Sequence, residues 1–258
     1  MSQTQLLREM RELISGEPSV LEAALLVTRI VDPDANLDWC RERIDGLARD
    51  LDLDGGNSAT SLSQGLKQEG FSAAADLYKS ENSSLEHVLR LRKGIPISLA
   101  AVLLSICEKL EVTAHGVNFP SHFLVSIEDT LIDPLNMQSV TRAECLRWLK
   151  NRNLESNGAF RPATVRNLVE RMLNNLALLA QANDDYPREL ELSDFKLLVT
   201  SQPFPLYVER VRLWLRLGVN GMAQHDLKIA LELAPDEATR ESLLQGLADI
   251  SERRSALH

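Results

Sequence analysis

The chain has 258 residues, 44% of them hydrophobic and 25% charged, a globular balance with length enough for one large domain or two smaller ones. Its net charge of −9 argues against nucleic acid or an anionic membrane surface as the partner, because both select clustered positive charge. Charges at Arg8, Glu9, Arg11 and Glu12 leave no apolar signal-peptide core, and no later run approaches membrane-spanning length, so a cytoplasmic location is expected. Cys40, Cys107 and Cys145 are odd in number and fit neither a disulfide framework nor a zinc spacing. Each lies in an apolar helical pattern, which predicts buried, inert thiols.

In the N-terminal third, Pro18 suits a first helical turn, and Leu21, Ala24, Leu25 and Thr28 follow at helical spacing until Asp32-Pro33-Asp34 stops them. Asn36 caps a second helix with Cys40, Ile44, Leu47 and Leu51 on one face, ended by Asp54-Gly55-Gly56-Asn57. A third, short helix carries Leu62 and Leu66 and closes at Gly70. Ser83-Ser84-Leu85-Glu86 has capping-box spacing and opens a helix through Val88 and Leu89 into Arg90-Leu91-Arg92-Lys93. Basic residues there complement the negative end of the helix dipole and need no ligand.

The centre is Gly94 to Asp133. Gly94 ends one helix, Pro96 starts the next, and Leu99, Ala100, Leu103, Leu104, Ile106, Cys107 and Leu110 leave it almost no polar face, so it belongs in the middle of a domain. Its first turn gathers unpaired amide donors, where an attacking group gains acidity and an oxyanion finds hydrogen bonds; Ser98 is the hydroxyl placed there.

Alternating segments follow over 113–119, 122–127 and 130–133, with Glu128-Asp129 as a two-residue turn. Pairing Ile127 with Thr130 sets Val125 against Ile132 and Leu124 against Asp133. Phe123, Val125, Ile127 and Ile132 then share one face, and His122, Leu124, Ser126, Leu131 and Asp133 the other, with His122 and Asp133 within side-chain reach. The same residues also suit local turn hydrogen bonds, and a first-turn serine commonly bonds its own backbone.

Further on, Thr141-Arg142-Ala143-Glu144 is a capping box, and 151–162 with Asn157-Gly158 is the best linker. Beyond it lie a stripe through Val165, Leu168, Met172, Leu176 and Leu179, a break at Pro187, a helix through Leu190, Phe195 and Leu198, and a break at Pro203/Pro205. Tyr207, Trp214, Gly218, Ala223, Ala230 and Pro235 occupy the large, aromatic, turn-glycine, small, small and proline positions of one tetratricopeptide unit. Leu243, Leu244 and Leu247 suggest a closing helix; a plain helical bundle is the alternative. His225 has no partner at metal spacing, and an exposed helix histidine is its simplest reading.

Phe71-Ser72, Asp76-Leu77-Tyr78, Glu81-Asn82-Ser83, the run from Arg92 to Leu99, the run from Gly116 to Val125, and Ile132-Asp133-Pro134, taken together, resemble the bacterial SirB-type family. The resemblance implies an α+β fold, a transglutaminase-like (papain-like) domain with a central helix and small antiparallel sheet, followed by an all-α tetratricopeptide-like module. The expected division is 1–155 and 156–258. In catalytic relatives of that fold a cysteine begins the central helix, a histidine a following strand, and an aspartate on the next strand orients it. His122 and Asp133 match the last two, while the cysteine position falls on Pro96 with Ser98 two residues on.

Two functions follow. One is a noncatalytic or regulatory protein that binds a protein or peptide partner; the other is a hydrolase or acyltransferase of amide or ester bonds through Ser98, His122 and Asp133. No cofactor or metal is expected, since no phosphate loop, metal-ligand spacing or cofactor fingerprint occurs.

Overall fold

A computed structural model describes residues 2–51 and 58–245, so the Asp54–Asn57 break and Leu247 lie outside the described residues. The chain forms two compact units, Met1–Ala182 and Asn183–His258.

The first unit is built round a helix that buries every residue from Ile97 to Cys107. It follows helices α1 (Gln3–Ser15), α2 (Val20–Val31), α3 (Leu37–Asp50), α4 (Ser58–Gln68) and α5 (Leu85–Leu91), and is α6 (Pro96–Lys109). α2, α3 and α5 pack on it, and each fully buried leucine or isoleucine contributes about 1.5–3 kcal/mol. α1 was not expected; its Leu6, Met10 and Ile14 form a narrow buried stripe among charges. Ser19, one residue after Pro18, accepts from Glu22 N and caps α2. Ser84, not Ser83, caps α5 by accepting from His87 N at 3.4 Å. Arg92, not Gly94, takes the left-handed conformation that ends α5, with φ 57°.

Gly94 has a different task. Strands β1 (Ser72–Ala73) and β2 (Lys93–Gly94) pair in parallel, and a Cβ on Gly94 would lie 2.7 Å from Ser98 Oγ and 3.1 Å from Val88 Cγ2. Its missing side chain lets the end of α5 approach the start of α6.

After α6 comes an antiparallel sheet of β3 (Ala114–Val117), β4 (Leu124–Ile127), β5 (Thr130–Asp133), β6 (Gln138–Val140) and β7 (Pro162–Ala163), in the order β6-β5-β4-β3-β7. The hairpin has the expected register, Val125 opposite Ile132 and Ile127 opposite Thr130. His122 stands two residues before β4, in the preceding turn rather than on the strand. Val117, Leu124 and Leu131 cluster with Cys145 and Leu149 of α7 (Arg142–Asn151), whose capping box forms as expected. The pleat leaves Val125, Ile127 and Ile132 for the opposite face, on the side of α6, so the sheet is apolar on both faces.

The 155/156 division is corrected by this sheet. Pro162–Ala163 pairs with Gly116 and Val117, while Ala159 and Phe160 pack in the cluster under α7. The next helix, α8 (Val165–Ala182), buries Leu168, Met172 and Leu176 and packs on α2 and α6. The polar, glycine-bearing stretch that reads as a linker is a loop leading into an edge strand, and the chain divides after Ala182.

The second unit is all helical in its described part. α9 (Tyr186–Val199) and α10 (Pro203–Arg216) start at the expected prolines, and α11 (Asn220–Leu233) returns along α10. Gly218 turns between them with φ 76°, and Ala223 and Ala230 are buried. Asp236, next to Pro235, accepts from Thr239 N and caps the helix that follows. A buried polar group ties the three helices together: Arg210 Nε donates to Asp226 Oδ2 at 2.9 Å, and its Nη1 to Ser193 Oγ at 2.5 Å and Asp194 Oδ1 at 2.6 Å. Trp214 Nε1 donates to the same Asp226 Oδ2 at 2.8 Å.

Candidate functional site

The strand register delivers the histidine and the aspartate to each other. His122 Nε2 lies 2.9 Å from Asp133 Oδ1, and both side chains are about four-fifths buried, 18% and 19% exposed. A carboxylate oxygen only accepts, so Nε2 carries the proton and Nδ1 is the nitrogen left to act. Asp133 Oδ1 also accepts from Leu135 N at 2.9 Å, which fixes the carboxylate from its own turn. On the other side, Ser121 has φ 57° and His122 N donates to Phe119 O at 3.1 Å, closing the tight turn that aims the imidazole.

Two helices complete the surroundings. The Trp148 ring of α7 lies 6.4 Å from the imidazole and 5.5 Å from Phe119, with Phe160 beyond at 5.7 Å from Phe119. From α8, Arg171 Nη1 donates to Asn118 Oδ1 at 2.7 Å and to Phe119 O at 3.1 Å, and its guanidinium carbon sits 5.7 Å from the Phe123 ring centre. Burial lowers the Arg171 pKa from its ordinary value. Nothing in the sequence pattern marks Trp148 or Arg171 as a neighbour of His122. Their sequence separation from His122 hides the meeting, although an arginine next to the buried stripe of Leu168 and Met172 is a signal in retrospect.

Ser98 does not join the pair. Its hydroxyl is fully buried, accepts from Ile95 N and donates to Ile95 O, both at 3.1 Å. It closes the start of α6 and, among the described residues, makes no hydrogen bond to His122. Pro96, at the position where the resemblance expects a cysteine, supplies no nucleophile. The thiols are remote from this role: burial pushes Cys40 and Cys107 up to about 12, and burial first, then the Glu144 and Asp133 charges, raise Cys145.

A cavity of about 230 Å³ opens beside the sheet between α6 and α8, lined by Val20, Leu104, Cys107, Glu108, His115, Phe123 and Leu168 among others. Neither Ser98, His122 nor Asp133 lines it.

A buried central helix, an antiparallel sheet packed beside it, and a His–Asp pair spanning a turn and a strand make up the transglutaminase-like arrangement, and the Transglutaminase-like superfamily matches residues 37–174. The chain belongs to that superfamily and, within it, to the bacterial SirB-type group. It is 32% identical to a UPF0162 protein of Xylella fastidiosa strain Temecula1, over 73% of this chain and 72% of that one. The UPF0162 protein of Pseudomonas aeruginosa is 28% identical over 95% and 96%, and protein SirB1 of Salmonella typhimurium 25% over 73% and 74%. A looser likeness extends to menin, with TM-score 0.44 at 11% identity over 90% of this chain and 70% of that one; at that distance it bears on neither site nor function.

Proposed function

We propose that the protein is a noncatalytic binding protein, a catalytic scaffold without its nucleophile, that recognises a protein or peptide partner. The observation that carries this reading is the buried Ser98 hydroxyl, which spends its donor and its acceptor on Ile95. Acyl transfer needs a hydroxyl or thiol within reach of the base and exposed to substrate. Here the base and its orienter stand at 2.9 Å from each other, while the Ser98 hydroxyl at the start of α6 donates its proton to Ile95 O instead. The helical second unit supports the binding role through its Gly218 turn and closely packed Ala223 and Ala230, features suited to a tetratricopeptide-like surface.

The hydrolase reading rests on the His122–Asp133 hydrogen bond, which is the geometry of a poised base. A panel of ester and amide substrates separates the two. Under the binding reading wild type, Ser98→Ala and His122→Ala give the same background hydrolysis, while the full chain retains a partner in a pull-down that a scrambled-surface control does not. Hydrolysis lost in both variants, or retention no better than the control, contradicts it.

A further inference from the structure

Arg171 is the anomaly of the first unit. The partly buried Arg29, Arg41 and Arg43 each have a carboxylate within ion-pair distance, and in the second unit the buried Arg210 has two. In a chain with 37 acidic residues against 28 basic ones, Arg171 has none among the described residues. Its bonds go to an amide oxygen and a backbone carbonyl, through Nη1 alone. Nε and Nη2 make no hydrogen bond among the described residues, which leaves free the edge through which a guanidinium takes a carboxylate in two parallel bonds.

The cation is also placed. Phe119 O accepts from both Arg171 Nη1 and His122 N, so guanidinium and imidazole are anchored on one carbonyl. The Phe123 ring beneath the guanidinium and the Phe119–Trp148 pair beside the imidazole make the surroundings apolar, where an unpaired charge is costly and a counter-ion is worth more than in water. Asn118 and Phe119 hold the cation without neutralising it.

We propose that Arg171 is a carboxylate-binding residue, and that it forms with the 118–123 turn a subsite for a carboxylate of a peptide partner, at its chain end or on an acidic side chain. This rests on the binding reading above and names the group which that site recognises.

The test is NMR of the full chain, following Arg171 Nε–H and the His122 ring. N-acetylglycine stands for a chain end, N-acetylaspartic acid α-amide for an acidic side chain, and N-acetylglycinamide is the neutral control. A single bidentate pair supplies no more than a millimolar Kd, so titration runs to about 50 mM. At least one carboxylate is expected to give a saturable shift that the neutral amide does not, and which of the two does so identifies the source. Arg171→Lys, which keeps the charge and loses the fork, is expected to weaken binding about tenfold, and Arg171→Met to abolish it.

No saturable shift, an equal shift with the neutral amide, or undiminished binding in both variants overturns the proposal. Should Arg171→Met fail to fold, the lysine variant decides. Loss of the carboxylate shift with a partner still captured defeats the subsite alone, whereas Ser98-dependent hydrolysis defeats the binding reading and leaves the carboxylate shift standing.

Discussion

Asp133 holds the His122 ring through one oxygen that also accepts from Leu135 N, so a single atom sets both the turn and the tautomer. Asp133→Asn removes the acceptor-only partner. Long-range proton–nitrogen spectra of the neutral ring are expected to show Nε2 protonated in wild type and a tautomer mixture in the variant, at a stability cost of about 1 kcal/mol. An unchanged tautomer would place the orienting group elsewhere. Glu189 gives a second residue-scale prediction. Burial first, then the hydrogen bond and repulsion from Glu209, lift its pKa from 4.5 to about 7 against the opposing Lys196 and Arg216 charges. Between those values the folded state holds a proton that the unfolded chain has released, so this group's stabilisation is complete below pH 4.5 and is lost as pH rises through 7. Glu189→Gln should flatten that part of a thermal-stability profile taken from pH 4.5 to 8, and a slope identical to wild type would contradict the assignment.

At the scale of elements, α9, α10 and α11 meet at Arg210, whose side chain is 8% exposed, and at Asp226, 3% exposed. Arg210→Met leaves Asp226 buried without its counter-charge and should destabilise the second unit by about 3 kcal/mol in denaturant melts; a loss below about 1 kcal/mol would mean that Trp214 Nε1 alone satisfies the carboxylate. Elements also mark where sequence reasoning succeeds. The β4–β5 hairpin was legible because antiparallel pairs have a constant sum and period-two alternation fixes the faces, so Ile127 opposite Thr130 dictates the rest. β7 was not, because Pro162–Ala163 is two residues long and its pairing partner is Gly116–Val117, far back in the chain. Arg92 defeated the rule that a glycine ends a helix, since it adopts φ 57° while Gly94 is needed two residues on for close approach to Ser98. Of the site, the His122–Asp133 meeting follows from local register, whereas Trp148 and Arg171 arrive from separate helices with no periodic signal linking them to it. The orientation of the Ser98 hydroxyl was legible only as a preference of first-turn serines.

At the scale of the molecule, α8 belongs to the first unit because Leu168, Met172 and Leu176 complete the packing on α2 and α6, and β7 completes the sheet. A fragment ending at residue 182 should therefore melt as one cooperative transition, and one ending at 155 should not, since it exposes the α8-facing surface and removes an edge strand. Equal cooperativity by circular dichroism would restore the earlier boundary. The same unit carries the central claim, that a transglutaminase-like scaffold keeps its base and orienter without a usable nucleophile. A serine-reactive fluorophosphonate, followed by peptide mass spectrometry, tests it most directly. A buried hydroxyl bonded to Ile95 predicts no adduct on Ser98 in the folded chain. A stoichiometric Ser98 adduct that disappears in His122→Ala would contradict it.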